Sequence, residues 1–465
     1  MQSPARPKIG FLSAFYHAYD DVMGAGFRQL ENAAAARNRT LLERDFKVTD
    51  FGIVSSLDEA RSTAQRIATE AVEALVFAPT MVAPPEWLEV ALQTSACPII
   101  IWSATHLQSL PADLEHLGAT VHTSLVGATM LANCLVRRAQ RFVVVDAVPG
   151  DLSDEVRLKR TVNAAVAARR LGTAIALRVG APIAGYRDVE TTADELRAVG
   201  LREIEVSVAE LEQTFAAVSA RDVQAELAAL RARAQWCVAP AGAADASARL
   251  ALALRRLACE HGATLGTVNC HSAWFRQNER IGIVACLGVS LLHEAGIPFS
   301  CTGDLPAAMA GLVAKTLSGS SLYCELYVRE PKEDQFLIAA GGEGDPTWAS
   351  GGNIDIVANG YYPGRCGAGL GVRFALQQGP ATLISMTPTI NGWRLIWAPG
   401  AITARSFPKL DGPNGMFEFA THPGHRAAEE WVTAGPTHHP ALARGHLDPE
   451  LPIVAELAGL KSVRV

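Results

Sequence analysis

Four stretches of this sequence carry side chains that could do chemistry. The first is GIPFSCTGDLPAAM, in which Asp304 follows a short apolar run and precedes Pro306 and a helical pattern. A carboxylate at a strand-to-helix junction can face a cleft, although the same position also suits a plain N-cap. The second is GPTHHPALARGH, where His438 and His439 sit in a Gly/Pro-bounded loop. Histidine is the commonest transition-metal ligand, but an isolated His-His pair also suits a surface loop. The third is AAGGEGDPTW, where glycines around Glu343 let the backbone turn sharply toward a ligand, or simply close a hairpin. The fourth is NCHSAWFRQNE, with His271, Trp274, Arg276 and Glu279; its Trp suits stacking on a sugar ring or ordinary packing.

These residues need a scaffold. Short continuous apolar runs (residues 8–15, 46–53, 74–78, 98–102) alternate with helical patterns (21–37, 57–69, 117–138). That alternation predicts a doubly wound parallel sheet covered on both faces. A second run opens near 142 and continues through strands at 173–179, 203–208 and 264–270, with helices at 157–170, 208–230, 247–261, 281–294 and 306–317. Residues 233–243, containing Trp236 and Pro240, read as a crossover. Beyond Leu317 helical periodicity fades, Gly and Pro accumulate, and short β-like runs follow one another up to a helix at 449–457. The expected architecture is α/β: two Rossmann-like doubly wound domains (1–140 and 141–317), then a C-terminal antiparallel β-barrel-like domain (318–465).

The bulk composition narrows the function. Of 465 residues 49% are apolar and 19% charged, which indicates large packed cores. The net charge of −6 disfavours nucleic acid as a partner. No apolar stretch is long enough to cross a bilayer, and no signal-peptide pattern is seen. Nine cysteines without a CxxC pair suit reduced thiols in a cytoplasm, most of them small core residues. Neither GxGxxG after the first strand nor GxxxxGK[ST] occurs, so no phosphate cradle is predicted.

Two segments, CLGVSLLHEAGIPFSCTGDLPAAMAGLVAKTLSG and THHPALARGHLDPEL, resemble the L-fucose/L-arabinose isomerase superfamily. Residues 180–215 and 379–399 are similar to the same family. The resemblance implies aldose–ketose interconversion on Mn2+ or another divalent cation, in a homo-oligomer (trimer or hexamer) with sites near subunit contacts. Asp304 matches the family's ligand aspartate and His439, or His438, its C-terminal histidine. On this reading Asp304 and His439 bind the ion and Glu343 joins Asp304 in catalysis. His438, His271, Trp274 and His122 contact a carbohydrate substrate, His122 from a neighbouring subunit. Two departures stand out: Thr302 occupies the place of a family glutamate, and Val284–Cys286 contains no acid where an upstream glutamate belongs. Glu343, Glu279 and Glu325 are the acids available to fill the gap. The site is therefore expected to be only partly retained. Alternatives are changed chemistry on the same fold (a lyase, decarboxylase or group transfer on a sugar acid) or a catalytically silent sugar-binding protein.

Overall fold

The computed structural model describes all residues except 1–5, 25, 94, 108, 238–242 and 361–362. The chain falls into two compact units, Met1–Arg170 with Pro449–Gly459, and Leu171–Asp448 with Leu460–Val465.

In the first unit, β1 (Lys8–Ala14), β2 (Lys47–Val54), β3 (Ala74–Phe77), β4 (Ile99–Ala104) and β5 (Phe142–Ala147) form an all-parallel sheet in the order β2-β1-β3-β4-β5. β3 and β4 are buried throughout, as continuous apolar runs require. The helix Leu57–Thr69 has the predicted limits, with Ser56 accepting from the Glu59 amide as N-cap. The helical pattern at 21–37 divides into Asp20–Met23 and Phe27–Glu43, because Gly24 and Gly26 adopt φ of 80° and 108° between them. The pattern at 117–138 likewise divides, into His116–Thr120 and Ser124–Arg137. β5, which the sequence pattern reads as opening the second run, pairs with β4 as the last strand of the first sheet. Its alternating exposure is that of an edge strand, and an apolar run alone does not say which sheet it joins.

The second unit begins with β6 (Ile175–Val179), β7 (Arg202–Val206), β8 (Gln235–Trp236), β9 (Leu265–Val268) and β10 (Phe299–Cys301). Four of them make a second parallel sheet in the order β10-β9-β6-β7. The chain leaves β6 toward β7 on one side and later returns to β9 on the other. The switch point thus lies between β6 and β9, and such sheets bind ligands at the carboxyl ends of the strands there.

The rest of this unit contributes β11 (Leu322–Tyr323), β12 (Glu325–Glu330), β13 (Gln335–Ala339), β14 (Asp355–Ala358), β15 (Leu370–Arg373), β16 (Gly379–Thr389), β17 (Gly392–Ile402), β18 (Asn414–Phe419), β19 (Ala441–Arg444) and β20 (Lys461–Arg464). The antiparallel order β11-β19-β16-β17-β18-β13-β12 curls into a half-barrel, and β20 adds parallel to β17. β14 and β15 stand apart from this sheet: β14 pairs with β15 on one side and with β8 on the other, so the predicted crossover supplies a strand; Pro240 in it lies outside the described residues.

A buried ion pair ties the helix Leu305–Ser318 to the turn after β13. Lys315 Nζ lies 2.6 Å from Asp345 Oδ2, with side-chain exposures of 13% and 0%. Asp345 also accepts from the amides of Ser321 and Thr347, both at 3.0 Å. Removing one partner of a buried pair strands the other's charge. Asp345→Ala should lower the unfolding free energy by about 3–5 kcal/mol, read from the urea midpoint. Lys315→Met should cost less, because Asp345 keeps its two amide donors.

Candidate active site

The carboxyl ends of β6, β9 and β10 face the half-barrel across a cavity of about 690 Å³. The loop after β6 brings Ile183, Tyr186 and Asp188 to its wall, and the turns after β9 and β10 bring Cys270, His271 and Thr302. Tyr323, Glu325, Glu343, Asn359, His438 and His439 complete it from the β domain.

Asp304 does two jobs at once. Its Oδ1 accepts from the Ala307 amide at 2.8 Å and caps the helix Leu305–Ser318, and its Oδ2 accepts from His439 Nδ1 at 2.9 Å. The predicted cap is present, and the same carboxylate also holds His439. It is fully buried and does not reach the cavity wall; it stands behind His439. The turn that aims it is tight. Thr302 holds φ at 61°, and a Cβ on Gly303 (φ 84°) would meet Pro182 Cα at 2.5 Å. The Ile183 amide donates to Thr302 O at 3.1 Å, joining this turn to the loop after β6.

His438 is backed in the same way. Its Nδ1 lies 2.5 Å from Asp188 Oδ2, which also accepts from the His438 amide at 3.1 Å. Each histidine thus has a carboxylate on Nδ1, an arrangement that fixes ring orientation and tautomer in metal sites. The two rings lie 3.6 Å apart, and Glu325 Oε1 is 3.3 Å from His439 Nε2. The ligand atoms of Glu325, His438 and His439 all fall within 4.8 Å of one another. One carboxylate oxygen and two imidazoles fit a borderline-hard ion such as Mn2+. Here the structure differs from the expected ligand pair: Glu325, at the start of β12, joins the histidines, and Asp304 lies one layer back.

Glu343, 4% exposed, also lines the cavity and takes a hydrogen bond from the Cys286 thiol. Burial raises its pKa, against the bond from Cys286 and the positive field of His439. Asn359 Nδ2 braces this corner, donating to Gly341 O at 2.6 Å. Cys286 and Val284 reach the cavity because the expected helix at 281–294 starts only at Cys286. Asn278 Oδ1 accepts from the amides of Arg280 and Ile281 and holds the preceding residues as a turn.

Of the other predicted contacts, His271 lines the cavity. Trp274 does not: it packs beside Phe275 and against Gly180, so its ring serves the core. His122 belongs to the first unit, exposed on the turn before Ser124–Arg137. Glu279 is at the surface, paired with Arg365. Sequence reasoning did not single out Asp188, Asn359, Tyr323 or the cavity-facing thiols. An Asp in a Gly/Pro loop at a strand's carboxyl end was the available signal for Asp188.

Residues 322–461 match the family described as the L-arabinose isomerase C-terminal domain. That match places residues 322–461 in the L-arabinose/fucose isomerase superfamily. The span that matches this superfamily carries Tyr323, Glu325, Glu343, Asn359, His438 and His439, while Asp188, Cys270, His271, Thr302 and Asp304 precede it. No curated protein matches the chain. Among solved structures, a periplasmic solute-binding protein of an ABC transporter from Actinobacillus succinogenes 130z with bound D-allose is 12% identical. It covers 57% of this chain and 78% of its own, with a TM-score of 0.16, too low to carry an argument. No helix among the described residues is long and apolar enough to cross a membrane.

Burial works against charge on His439, but its hydrogen bonds to Asp304 and Glu325 outweigh this and lift its pKa from 6.5 to about 9. A folded-state pKa above the unfolded one contributes stability below pH 6.5 that is lost as pH rises through the folded value. Metal-free protein should therefore unfold at lower urea at about pH 10 than at about pH 6. Asp304→Asn should flatten that slope while keeping the helix cap.

Proposed function

We propose that the protein is a metal-dependent sugar isomerase that interconverts an aldose and a ketose of a small sugar or sugar derivative. The convergence of Glu325, His438 and His439, each histidine backed by its own carboxylate, carries this reading. Membership of the superfamily supports it. Glu325, His438 and His439 would hold Mn2+ or a similar divalent cation, which supplies Lewis-acid polarisation of the substrate carbonyl and stabilises developing enediolate charge.

The chain's own residues supply the rest. Asp304 and Asp188 are positioning residues that orient the two imidazoles. Without a cation, His439 keeps the proton on Nε2 that faces Glu325, so loading the site means losing that proton. Glu343 is the candidate base. Its buried carboxyl has a raised pKa, which suits a group that takes a proton from one carbon and returns it to the next. It fills the role left open by Thr302 and by the acid-free segment at Val284–Cys286. Thr302, Tyr323 and Asn359 offer polar atoms around a cavity sized for a sugar.

Glu343→Gln should lower turnover by about 10²-fold or more and stop exchange of the substrate's C2 hydrogen with deuterated solvent. Sugar-dependent thermal stabilisation should survive the change. Unchanged exchange would remove Glu343 as the base. Asp304→Asn should weaken Mn2+ binding by about 10–100-fold, measured by calorimetry. Product formation from a sugar acid without any isomerisation would favour changed chemistry on the same site.

A further inference from the structure

The cavity holds a second set of ligating side chains that the isomerase reading does not use. Cys270, His271 and Cys301 place their ligand atoms within 4.8 Å of one another, and all three line the cavity. The arrangement follows from the sheet. β9 and β10 are parallel neighbours, so Cys270 and Cys301 emerge side by side at the same end. The two thiols hydrogen-bond to each other. Their exposures are 3% and 7%, whereas Cys259 and Cys366 are open to solvent. The third cavity thiol, Cys286, is engaged by Glu343 and lies 3.3 Å from Asn359 Nδ2.

The two thiolates set this group apart from the carboxylate and imidazoles of the other and favour softer ions. A Cys2His set with its fourth position open is a known zinc arrangement that leaves room for water or a substrate oxygen. Here the open side is the cavity itself. We propose that Cys270, His271 and Cys301 form a binding site for a soft divalent cation, Zn2+ foremost, separate from the Glu325–His438–His439 set. Closing on the ion requires the three atoms to draw in by about 1 Å toward tetrahedral spacing. The half-buried His271 side chain, at the cavity wall, is the part best placed to move. An ion seated there narrows the same cavity that a sugar would enter, so Zn2+ held at this site would compete with substrate.

The test uses the full chain and Cd2+, whose bonds to thiolate absorb in the ultraviolet. A Cys259→Ser/Cys366→Ser variant, lacking the two exposed thiols, should develop a two-thiolate charge-transfer band on addition of Cd2+ in the presence of excess Mn2+, with an amplitude that corresponds to one Cd2+ per chain at the thiolates. Excess Mn2+ should leave the band in place, and Zn2+ should abolish it. Cys301→Ser should reduce the band, and His271→Ala should weaken Cd2+ binding by about tenfold or more. Since Cys301→Ser alters a buried position, His271→Ala serves if that variant does not fold. Absence of the band in the double-serine variant overturns the proposal. So does a band and affinity unchanged by both Cys301→Ser and His271→Ala. Neither result bears on the isomerase reading, which rests on exchange and Mn2+ binding.

Discussion

The contact between Asp304 and His439 is the constraint on which the site depends. It joins residues 135 positions apart, one at the end of the second parallel sheet and one just before β19, and both are almost fully buried. A lone carboxylate in such a place would be costly. Here each oxygen has a donor, one the first turn of a helix and the other an imidazole. Any shift of the helix Leu305–Ser318 relative to the half-barrel would leave a charge unpaired. The Lys315–Asp345 pair resists that shift from the helix's far end. The geometry of the cavity wall and the stability of the core thus rest on the same few buried charges.

The cavity is divided by chemistry. Oxygen and imidazole donors gather where the half-barrel meets Asp304 and Asp188, and sulfur donors gather at the ends of β9 and β10. Glu343 lies where these regions meet, bonded to a thiol and sensing the charge of His439. Its raised pKa has burial as its main cause. Thr302, after β10, has a strained backbone that shapes the turn, and its hydroxyl donates to the Cys301 carbonyl at 2.7 Å.

Much of the fold was legible because its strands are short apolar runs between helical patterns. The three-layer order and the change of character after Leu317 follow from period and composition. What stayed hidden was non-local. Whether β5 closes one sheet or opens the next is a question of pairing, and β8 is too short to show in any pattern. The same holds at the site. Asp304 and the histidine pair stood out because turn signals surround them. Glu325 was one of three acids available and was not singled out, because it opens an ordinary strand and gains its meaning from a histidine 114 residues later. Trp274 misled because an aromatic among polar neighbours looks alike in a loop and against a core; the Gly180 backbone decides between them. Cysteines scattered singly looked like filler, yet three converge where parallel strands end together.

The path of the chain through its two units has a consequence for synthesis. The helix Leu451–Ala458 lies against β5 in the first unit, although most of the second unit is translated between them. On the ribosome the first sheet therefore waits, one flank uncovered, until nearly all of its neighbour has emerged. The last piece of the first unit is thus made only after residues 171–448 have been translated.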